Sequence, residues 1–394
     1  MKQKIAITSL ASLSTLGNSP EEIWQNYLSD NTFISTKEFN EKKEYVATIS
    51  NEIRLELETL RQSDSKYKAL DETVLMAILV SRQAIQKAGW KTGDDFGINI
   101  GSSRGATQLF EHFHKEFLNT GATPTLTSPV TTLGNISTWV AHDLKSTGVE
   151  ISHSITCSTA LHAILNAVAW LQSGMATKFL VGGSEAPLTD FTLAQMKSLK
   201  IYAHLEKNES KQNDYPCQAF NLTKTKNTMI LGEGASVACL ELGENKNALA
   251  YVSGIGYATD KLEHNISISE EAECFQKSMK MAMGTLDLVE IDAIVMHAPG
   301  TIKGDLSEYK AIQKVFGKNL PLLTTNKWKI GHTFGASGML SLELAVMMLQ
   351  YNHFIDVPYV TNAIRVENPD RVIKNVLINA VGFGGNAVTV LISK

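Results

Sequence analysis

Segments with the pattern of β-strands alternate with segments with the pattern of α-helices along all 394 residues of the chain. Short apolar runs, such as 96–101 and 293–296, precede or follow longer stretches with helical spacing of apolar residues, such as 71–87 and 305–315. This alternation indicates an α/β fold. The length and a hydrophobic content of 43% indicate a large buried core and two or three domain-sized units.

Capping signals predict where several of these helices begin and end. Ser19 before Pro20 predicts one helix start, and Asp71 and Gly89 delimit another helix. Ser269 is predicted to cap a helix that runs to residue 283. Further strands are predicted from residue 5 and at 150–155, 179–181, 376–380 and 388–392, and further helices at 160–172 and 337–350. The Lys-, Asn- and Gln-rich stretch 204–227 predicts a surface loop.

The charge and the cysteine content exclude several functional classes. The net charge is only −4 and basic residues form no long runs, so nucleic acid is not an expected partner, although a local basic patch is compatible with the sequence. The four cysteines, Cys157, Cys217, Cys239 and Cys274, form no C-x-x-C pair, which argues against a zinc ribbon or a redox pair. Four cysteines in so long a chain make no disulfide scaffold, so we expect a cytoplasmic protein.

One uncharged stretch is long enough to cross a membrane. Residues 151–177 contain no Asp, Glu, Lys or Arg. Polar Ser, Thr, His, Asn and Gln interrupt the stretch, so a buried strand followed by a core helix is the favoured interpretation. The first ten residues loosely resemble a signal peptide but lack its apolar block, and we interpret them as the first strand. We therefore predict no membrane association.

Cys157 is the first candidate for chemistry, because it lies where a predicted strand ends and a predicted helix begins. Free N–H groups and the helix dipole at that position lower the pKa of a thiol. The alternative is an inert core cysteine, and the position alone leaves the two interpretations about evenly balanced. The other three cysteines have no such setting and are interpreted as packing residues.

Two histidines and a glycine-rich loop are further candidates. His297 follows an apolar strand, where an α/β sheet forms crevices, although a lone histidine is more often structural. His332 lies in the small-residue segment 327–338, which permits close backbone approach to a ligand or merely tight packing. The loop 382–385 reads GFGG and is a mobile gate or a source of N–H donors. It lacks the Lys and Ser/Thr of a phosphate-binding loop.

Taken in order, these segments resemble the elongating β-ketoacyl-acyl-carrier-protein synthases of the thiolase superfamily. The resemblance covers nearly the whole chain. The segments that carry it are the opening strand and turn at 5–18, the nucleophile segment at 154–160, GGSEA at 182–186, LGEGA at 231–235, Lys327 with the GH and GA pairs at 331–336, and GFGG at 382–385.

The resemblance implies a thiolase-like α/β fold with two similar halves in a layered α-β-α-β-α arrangement. An N-terminal half, 1–243, carries Cys157 as the nucleophile. A C-terminal half, 244–394, carries His297, Lys327, His332 and the GFGG loop.

The resemblance also implies roles for individual residues. Cys157 would attack an acyl thioester, and neutral His297 and His332 would donate hydrogen bonds to a malonyl thioester, while Lys327 orients the site. Phe383 and Gly384 would form the gate, and together with the Cys157 N–H they would bind the oxyanion. Thr301 and Arg104 would bind substrate. Asp305 and Glu308 would support the catalytic residues.

Three positions depart from the pattern of the family. The family usually reads HGTST where this chain reads HAPGT at 297–301, so Pro299 replaces the first threonine. Ser341 stands where the family often has an acidic residue, which puts the support of Lys327 in doubt. Arg104 stands where an apolar residue often lines the acyl pocket. Either Arg104 points elsewhere, or the acyl substrate is not a plain saturated chain.

Partners and reaction follow from the same resemblance. It implies decarboxylative condensation with malonyl-acyl carrier protein in fatty acid or polyketide-like synthesis, for example of aryl polyenes, with neither metal nor cofactor. We expect a homodimer or a ketosynthase/chain-length-factor heterodimer, with the acidic carrier docking near Lys197, Lys200 and Lys207. The alternative is a chain-length-factor subunit with little activity of its own. A thiolase is disfavoured because the loop 382–385 lacks a second catalytic cysteine.

Overall fold

A computed structural model describes residues 3–133, 135–205, 214–261, 269–360 and 372–394. The strands in chain order are β1 Ile5–Leu13, β2 Ser35–Phe39, β3 Lys42–Val46, β4 Gly97–Gly101, β5 Glu150–Ile151, β6 Lys178–Glu185, β7 Gly234–Leu242, β8 Ala250–Thr259, β9 Ala293–Val295, β10 Leu322–Thr324, β11 Asn375–Gly382 and β12 Asn386–Ser393. The helices are α1 Pro20–Leu28, α2 Asn51–Ser63, α3 Glu72–Ala88, α4 Thr107–Thr120, α5 Thr127–Thr131, α6 Asn135–Leu144, α7 Thr159–Gln172, α8 Asp190–Ser198, α9 Glu273–Met283, α10 Ile302–Phe316, α11 Lys327–Ile330 and α12 Ser337–Tyr351, with 3₁₀ turns at Leu288–Glu290 and Phe334–Ala336.

Ten strands pair in the order β10-β9-β11-β12-β8-β1-β7-β6-β4-β5, and β2 and β3 form a separate hairpin. Read outward from the β8–β1 junction, each half of this sheet has the same connectivity. In the first half, β1 pairs antiparallel with β7, and β6, β4 and β5 follow outward. In the second half, β8 pairs antiparallel with β12, and β11, β9 and β10 follow in the corresponding order. The two halves of the chain therefore share one topology. The predicted boundary after residue 243 falls between β7 and β8 and stays a prediction.

The helices form three layers around the two halves of the sheet. The central layer is α7 and α12, whose residues share one buried cluster with inward side chains from both halves, such as Val181 and Val295. One outer layer contains α3 and α6 and covers the opposite face of the first half. The other contains α9 and α10 and covers the second half. This α-β-α-β-α order confirms the predicted fold class.

Burial on both faces explains why the central strands are continuously apolar. Leu180 and Val181 are neighbours in β6, yet one packs against the outer layer and the other against the central layer. Ile294 and Val295 divide in the same way in β9. Successive side chains of a strand point to opposite faces, so a strand between two helical layers has no polar face.

Most predicted elements are confirmed within two or three residues at each end, but two boundaries are wrong. The strand predicted at 150–155 ends at Ile151, because the next residues turn toward α7. Ser269 does not cap α9, which begins at Glu273; its hydroxyl donates to Asp260 Oδ2 at 3.0 Å instead. Within the described residues, every helix is too short or too polar to cross a membrane.

The predicted surface loop 204–227 is partly wrong. Residues 206–213 lie outside the described residues. In the remainder, Cys217 and Phe220 are fully or almost fully buried. The hydroxyl of Tyr359 donates to the carbonyl oxygen of Cys217 at 3.1 Å, which ties this segment to the C-terminal half. Its polar composition reflects buried hydrogen bonding as well as exposure.

Candidate active site

Cys157 lies in the turn that leads from β5 into α7. The preceding residue, Thr156, has a φ of 46°, which a β-branched residue rarely adopts. Two hydrogen bonds hold this turn: the Ile155 N–H donates to Thr159 Oγ1 at 2.9 Å, and that hydroxyl donates to the Thr156 carbonyl at 2.6 Å. The Cys157 side chain is buried, with 6% exposed. The strained turn thus fixes the direction of the thiol.

The glycine loop after β11 contacts this turn. A β-carbon on Gly382 would lie 2.0 Å from Thr156 Oγ1, so only glycine allows the two backbones to approach. Phe383, the next residue, is 38% exposed. Gly384 has a φ of 97°, the left-handed region that favours glycine. The predicted gate residues Phe383 and Gly384 therefore lie beside the turn that carries Cys157.

A buried carboxylate orients the backbone at His297. The N–H groups of His297 and Ala298 donate to the two oxygens of Glu308 at 2.9 and 2.8 Å. Asn379 of β11 donates to the same carboxylate at 3.1 Å. Burial raises the pKa of Glu308 to about 7, although these donors oppose the shift. Glu308 therefore holds the backbone that follows β9, and its supporting role in catalysis stays a prediction.

A second buried carboxylate, Asp305, holds the loop that follows His297. Asp305 accepts hydrogen bonds from the Gly300 N–H at 3.0 Å and the Phe220 N–H at 2.8 Å. Lys224 Nζ completes its surroundings at 2.6 Å, and both members of this ion pair are buried. The Thr301 hydroxyl caps α10 by accepting an N–H from its first turn. The substrate role of Thr301 stays a prediction.

The backbone of His332 is held by the LGEGA segment at 231–235 and the residue before it. The His332 N–H donates to the Ile230 carbonyl at 2.6 Å, and the Gly232 N–H donates back to the His332 carbonyl at 3.1 Å. The rings of His332 and His297 are perpendicular, with centroids 5.3 Å apart. Among the described residues, the buried Nδ1 of His332 has no hydrogen-bond partner.

Lys327 is fully buried and contacts two neutral oxygens. Its Nζ donates to Asn326 Oδ1 at 2.8 Å and to Ser341 Oγ at 3.1 Å. Ser341 stands where the resemblance places an acidic residue. Glu343, two positions further on, instead accepts a hydrogen bond from Ser12 Oγ at 2.5 Å. The hydrogen bonds of Lys327 thus go to neutral groups in this chain, while the charge of Glu308 favours its ammonium form.

Burial keeps both imidazoles neutral. It lowers the pKa of His297 well below its ordinary value, with repulsion by the other ring and by Lys327 adding to the effect. It lowers the pKa of His332 to about 3, again with a contribution from Lys327. Burial also lowers the pKa of Lys327 itself to about 8, and the charge of Lys327 acts on Cys157 as well. The two imidazole rings contact each other, and Phe334, which contacts the His332 ring, lies in the same buried cluster as Cys157.

The predicted lowering of the Cys157 pKa is wrong. Burial raises the pKa of the thiol to about 12, and the nearby carboxyl of Glu185 raises it further. Lys327, Arg104 and the backbone act in the opposite direction but do not outweigh burial. Cys157 is therefore a thiol at neutral pH before a substrate binds.

Arg104 points toward α8. Its Nη2 donates to Thr192 Oγ1 at 3.2 Å and to Gln195 Oε1, and its guanidinium lies 5.8 Å from the ring centroid of Phe334. Phe334 in turn contacts the His332 ring. Arg104 therefore lies near the site while hydrogen bonds to α8 hold it in place.

The predicted basic patch is weaker than its sequence indicates. Lys197 forms an ion pair with Glu44 of the hairpin strand β3, so its charge is largely neutralised. Lys200 is exposed after the end of α8. Lys207 lies outside the described residues.

Several residues that hold the site were missed by the sequence analysis. Asn379 interrupts an otherwise apolar strand, and that interruption was an available signal. Glu185 is the fourth residue of GGSEA and the last of β6, and its Oε1 accepts N–H groups from Ser103 and Gly335, which joins two loops of the site. Lys224 lies in a polar stretch interpreted as surface. No local pattern distinguishes a buried lysine of this kind from an exposed one.

Solved structures of ketosynthases share this fold. A complex described as a type II PKS acyl-carrier protein with its ketosynthase bound to the hexaketide matches at a TM-score of 0.85, with 16% identity and full coverage of both chains. The ketosynthase ApeO with its chain length factor ApeC from Xenorhabdus doucetiae matches at 0.78, with 18% identity over 99% of this chain and 98% of that chain. These matches confirm the predicted thiolase-like fold.

Sequence relatives match over the whole length. A 3-oxoacyl-[acyl-carrier-protein] synthase 2 of Staphylococcus aureus (strain COL) is 26% identical over 98% of both chains. The protein of the same description from Coxiella burnetii is 27% identical over 100% of this chain and 99% of its own. The family profiles "Beta-ketoacyl synthase, N-terminal domain" and "Beta-ketoacyl synthase, C-terminal domain" match residues 2–245 and 249–358. The chain therefore belongs to the β-ketoacyl synthase family of acyl-transferring condensing enzymes.

Proposed function

We propose that this chain condenses an acyl thioester with a malonyl thioester, both carried on acyl carrier protein, and releases carbon dioxide. The observation that carries the proposal is the arrangement of the strained Cys157 turn beside two buried neutral imidazoles and the ammonium of Lys327. A cysteine sulfur that attacks a thioester forms a covalent acyl-enzyme. A neutral imidazole has one N–H group, which can donate a hydrogen bond to the thioester oxygen.

In the first step, the sulfur of Cys157 attacks the carbonyl carbon of the acyl thioester. The carrier thiol leaves and takes up the proton that Cys157 gives up, so no net charge is created. Negative charge develops on the carbonyl oxygen in the transition state, and we assign its stabilisation to the N–H groups of Cys157 and Phe383. Donors of this kind contribute roughly 3 kcal/mol each in other enzymes.

In the second step, the malonyl thioester loses carbon dioxide and becomes an enolate. We assign the stabilisation of its oxygen to N–H groups of His297 and His332, with Lys327 adding positive potential. The enolate carbon attacks the acyl-enzyme carbonyl, a carbon–carbon bond forms, and Cys157 leaves as a thiolate that takes up a proton from water. All groups in this scheme belong to the chain or to the substrates, and the absence of a resident cofactor stays a prediction.

The partner and the pathway are finer parts of the proposal. Similarity to ketosynthases solved with a carrier protein and with a chain length factor supports a carrier as the substrate donor, in a homodimer or a ketosynthase/chain-length-factor heterodimer. The departures at Arg104 and in the loop around Pro299 favour a specialised, polyketide-like product over plain fatty acid elongation. A location in the cytoplasm is part of the same proposal.

Two assays on the purified chain test the reaction. The chain with an acyl-carrier and malonyl-carrier is expected to form the β-ketoacyl product, detected by mass spectrometry. Cys157→Ala is expected to abolish condensation but to retain decarboxylation of malonyl-carrier, whereas His332→Ala is expected to lose both reactions. Cys274→Ala serves as the matched control, because Cys274 is buried in a different cluster.

The outcomes separate the rival functions. Condensation that requires an added ketosynthase-like partner would favour a heterodimer over a homodimer, and partner-dependent condensation that persists in Cys157→Ala would support the chain-length-factor alternative. Product formation by Cys157→Ala would contradict the assignment of the nucleophile. Neither condensation nor decarboxylation with any partner would contradict the proposed reaction as a whole.

A further inference from the structure

One nitrogen of the Arg104 guanidinium group is hydrogen-bonded to α8, and the other two nitrogens have no protein acceptor among the described residues. Both N–H groups of Nη2 are used, one by Thr192 and one by Gln195, which lie on consecutive turns of α8. The group also lies over the ring of Phe334. Among the described residues, no acceptor is bonded to Nε or Nη1 of Arg104, and the side chain is only partly buried. Three N–H hydrogens are therefore available to a ligand.

The backbone of the Arg104 loop is fixed against the site. The N–H groups of Ser103, Arg104 and Gly335 all donate to one oxygen of Glu185, which is fully buried. A β-carbon on Gly335 would lie 2.6 Å from the Ser103 nitrogen, so the loop and the turn after His332 touch directly. The position of Arg104 relative to the site is thus set by packing rather than by its long side chain alone.

Phe334 connects Arg104 with the site. The guanidinium lies 5.8 Å from the centroid of the Phe334 ring, and Phe334 belongs to the same buried apolar cluster as Cys157. An acyl group attached to the sulfur would start in the cluster that the guanidinium packs against. A saturated chain that displaced water from these N–H groups would leave them without acceptors, which is unfavourable in a buried site. A chain with oxygen atoms would satisfy them.

We propose that Arg104 selects acyl groups that carry a carbonyl or hydroxyl oxygen within the first few carbons of the thioester over saturated hydrocarbon chains. This inference rests on the proposed function, because it concerns the group that Cys157 accepts. It extends that function by naming the chemical class of the acyl substrate.

Competition among acyl groups of equal length tests the selection. Octanoyl, 3-oxooctanoyl and 2,4,6-octatrienoyl thioesters of the carrier would be compared by kcat/KM for acylation of the full-length chain. The wild type is expected to prefer the 3-oxo ester over the octanoyl ester by at least about tenfold. Arg104→Ile is expected to bring that ratio close to one, mainly by lowering kcat/KM for the 3-oxo ester. Arg104→Lys is expected to retain part of the preference.

The control and the contrary outcomes keep this inference separate from the reaction. Arg82→Ile removes a half-exposed arginine of α3 that pairs with Asp143 of α6, and the ratio should stay at the wild-type value. If Arg104→Ile does not fold, Gln195→Leu, which removes one anchor of the guanidinium, should lower the ratio. The proposed selection would be wrong if Arg104→Ile lowered kcat/KM equally for the 3-oxo and octanoyl esters. It would also be wrong if the wild type preferred the trienoyl ester over the 3-oxo ester. A wild type that accepts no ester would instead refute the proposed function.

Discussion

Lys327 is a buried ammonium group whose two hydrogen-bond acceptors, Asn326 and Ser341, carry no charge. Burial lowers its pKa from 10.5 to about 8. The folded value lies below the unfolded one, so the charged form destabilises the folded state, and this cost declines as the pH rises from about 8 to about 10.5. If the reaction needs the ammonium form, its rate is highest below pH about 8 and falls as the pH rises through that value.

The substitution Ser341→Glu tests this dependence. A carboxylate beside Lys327 favours the ammonium form and raises its pKa, so the alkaline limb of the rate profile should move upward by about one pH unit or more. Ser341→Gln is a matched control of similar size without charge, and its limb should stay near the wild-type position. Decarboxylation rates measured between pH about 6 and 10 would decide the matter. Identical limbs for the Glu and Gln variants would show that Lys327 does not limit the reaction.

Glu308 is the second residue at which a single substitution is informative. Its carboxylate accepts N–H groups from His297, Ala298 and Asn379. Glu308→Ala leaves three buried donors unpaired at roughly 1–3 kcal/mol each, so the free energy of unfolding should fall by about 3 kcal/mol or more. Glu308→Gln retains an acceptor oxygen, so its free energy of unfolding should fall by less.

Chemical denaturation measures this effect, and the condensation rate measured under native conditions reports on His297. We expect the Ala variant to lose activity even where it remains folded, because His297 loses its backbone support. An Ala variant with wild-type stability and activity would show that the carboxylate does not position the histidine.

At the scale of elements, the glycine loop packs against the Cys157 turn with no room for a side chain at Gly382. Gly382→Ala would place a β-carbon 2.0 Å from Thr156 Oγ1, so the loop must move. Displacement of catalytic groups by about 1 Å can slow a reaction by roughly 10²-fold, and we expect acylation to slow to that extent. Rapid-quench measurement of acyl-enzyme formation would detect it.

Gly174→Ala is the control for this change. Gly174 lies in open space at a φ of 76°, so alanine there costs only backbone strain of about 1–2 kcal/mol. Its acylation rate should match the wild type. If Gly382→Ala also acylated at the wild-type rate, the loop would have no part in positioning the nucleophile.

The sequence predicts elements well where local chemistry determines them. Asp71 and Gly89 delimit α3 because a side-chain acceptor and a left-handed glycine satisfy its free backbone groups. The strand predicted at 150–155 failed for the opposite reason. Local hydropathy there is strand-like, but the residues after Ile151 serve the turn that presents Cys157, and tertiary contacts outweigh propensity.

The site was predictable only in part for a similar physical reason. Motifs identify Cys157, His297 and His332, because their chemistry is tied to a recognisable local sequence. The partners Asn326 and Ser341 of Lys327 depend on how α11 and α12 pack, and no local pattern carries that information. The pKa of Cys157 could not be predicted, because burial is a property of the whole fold.

At the scale of the whole molecule, α7 and α12 form a core that both halves share. Leu344 of α12 is fully buried in it, and Leu344→Ala should lower the free energy of unfolding by about 2–5 kcal/mol. Because both halves pack on this layer, circular dichroism and tryptophan fluorescence should report one coincident transition. Leu55→Ala, at a position 69% exposed, should change the free energy of unfolding by less than about 0.5 kcal/mol. Two separated transitions would contradict a shared core.

The account depends on one chemical act, the transfer of an acyl group to Cys157. Peptide mapping by mass spectrometry of the chain after incubation with acyl-carrier locates that group directly. We predict a single acylated peptide that contains Cys157, absent in Cys157→Ala and unchanged in Cys274→Ala. An acyl group on any other residue, or one that persists in Cys157→Ala, would contradict the account.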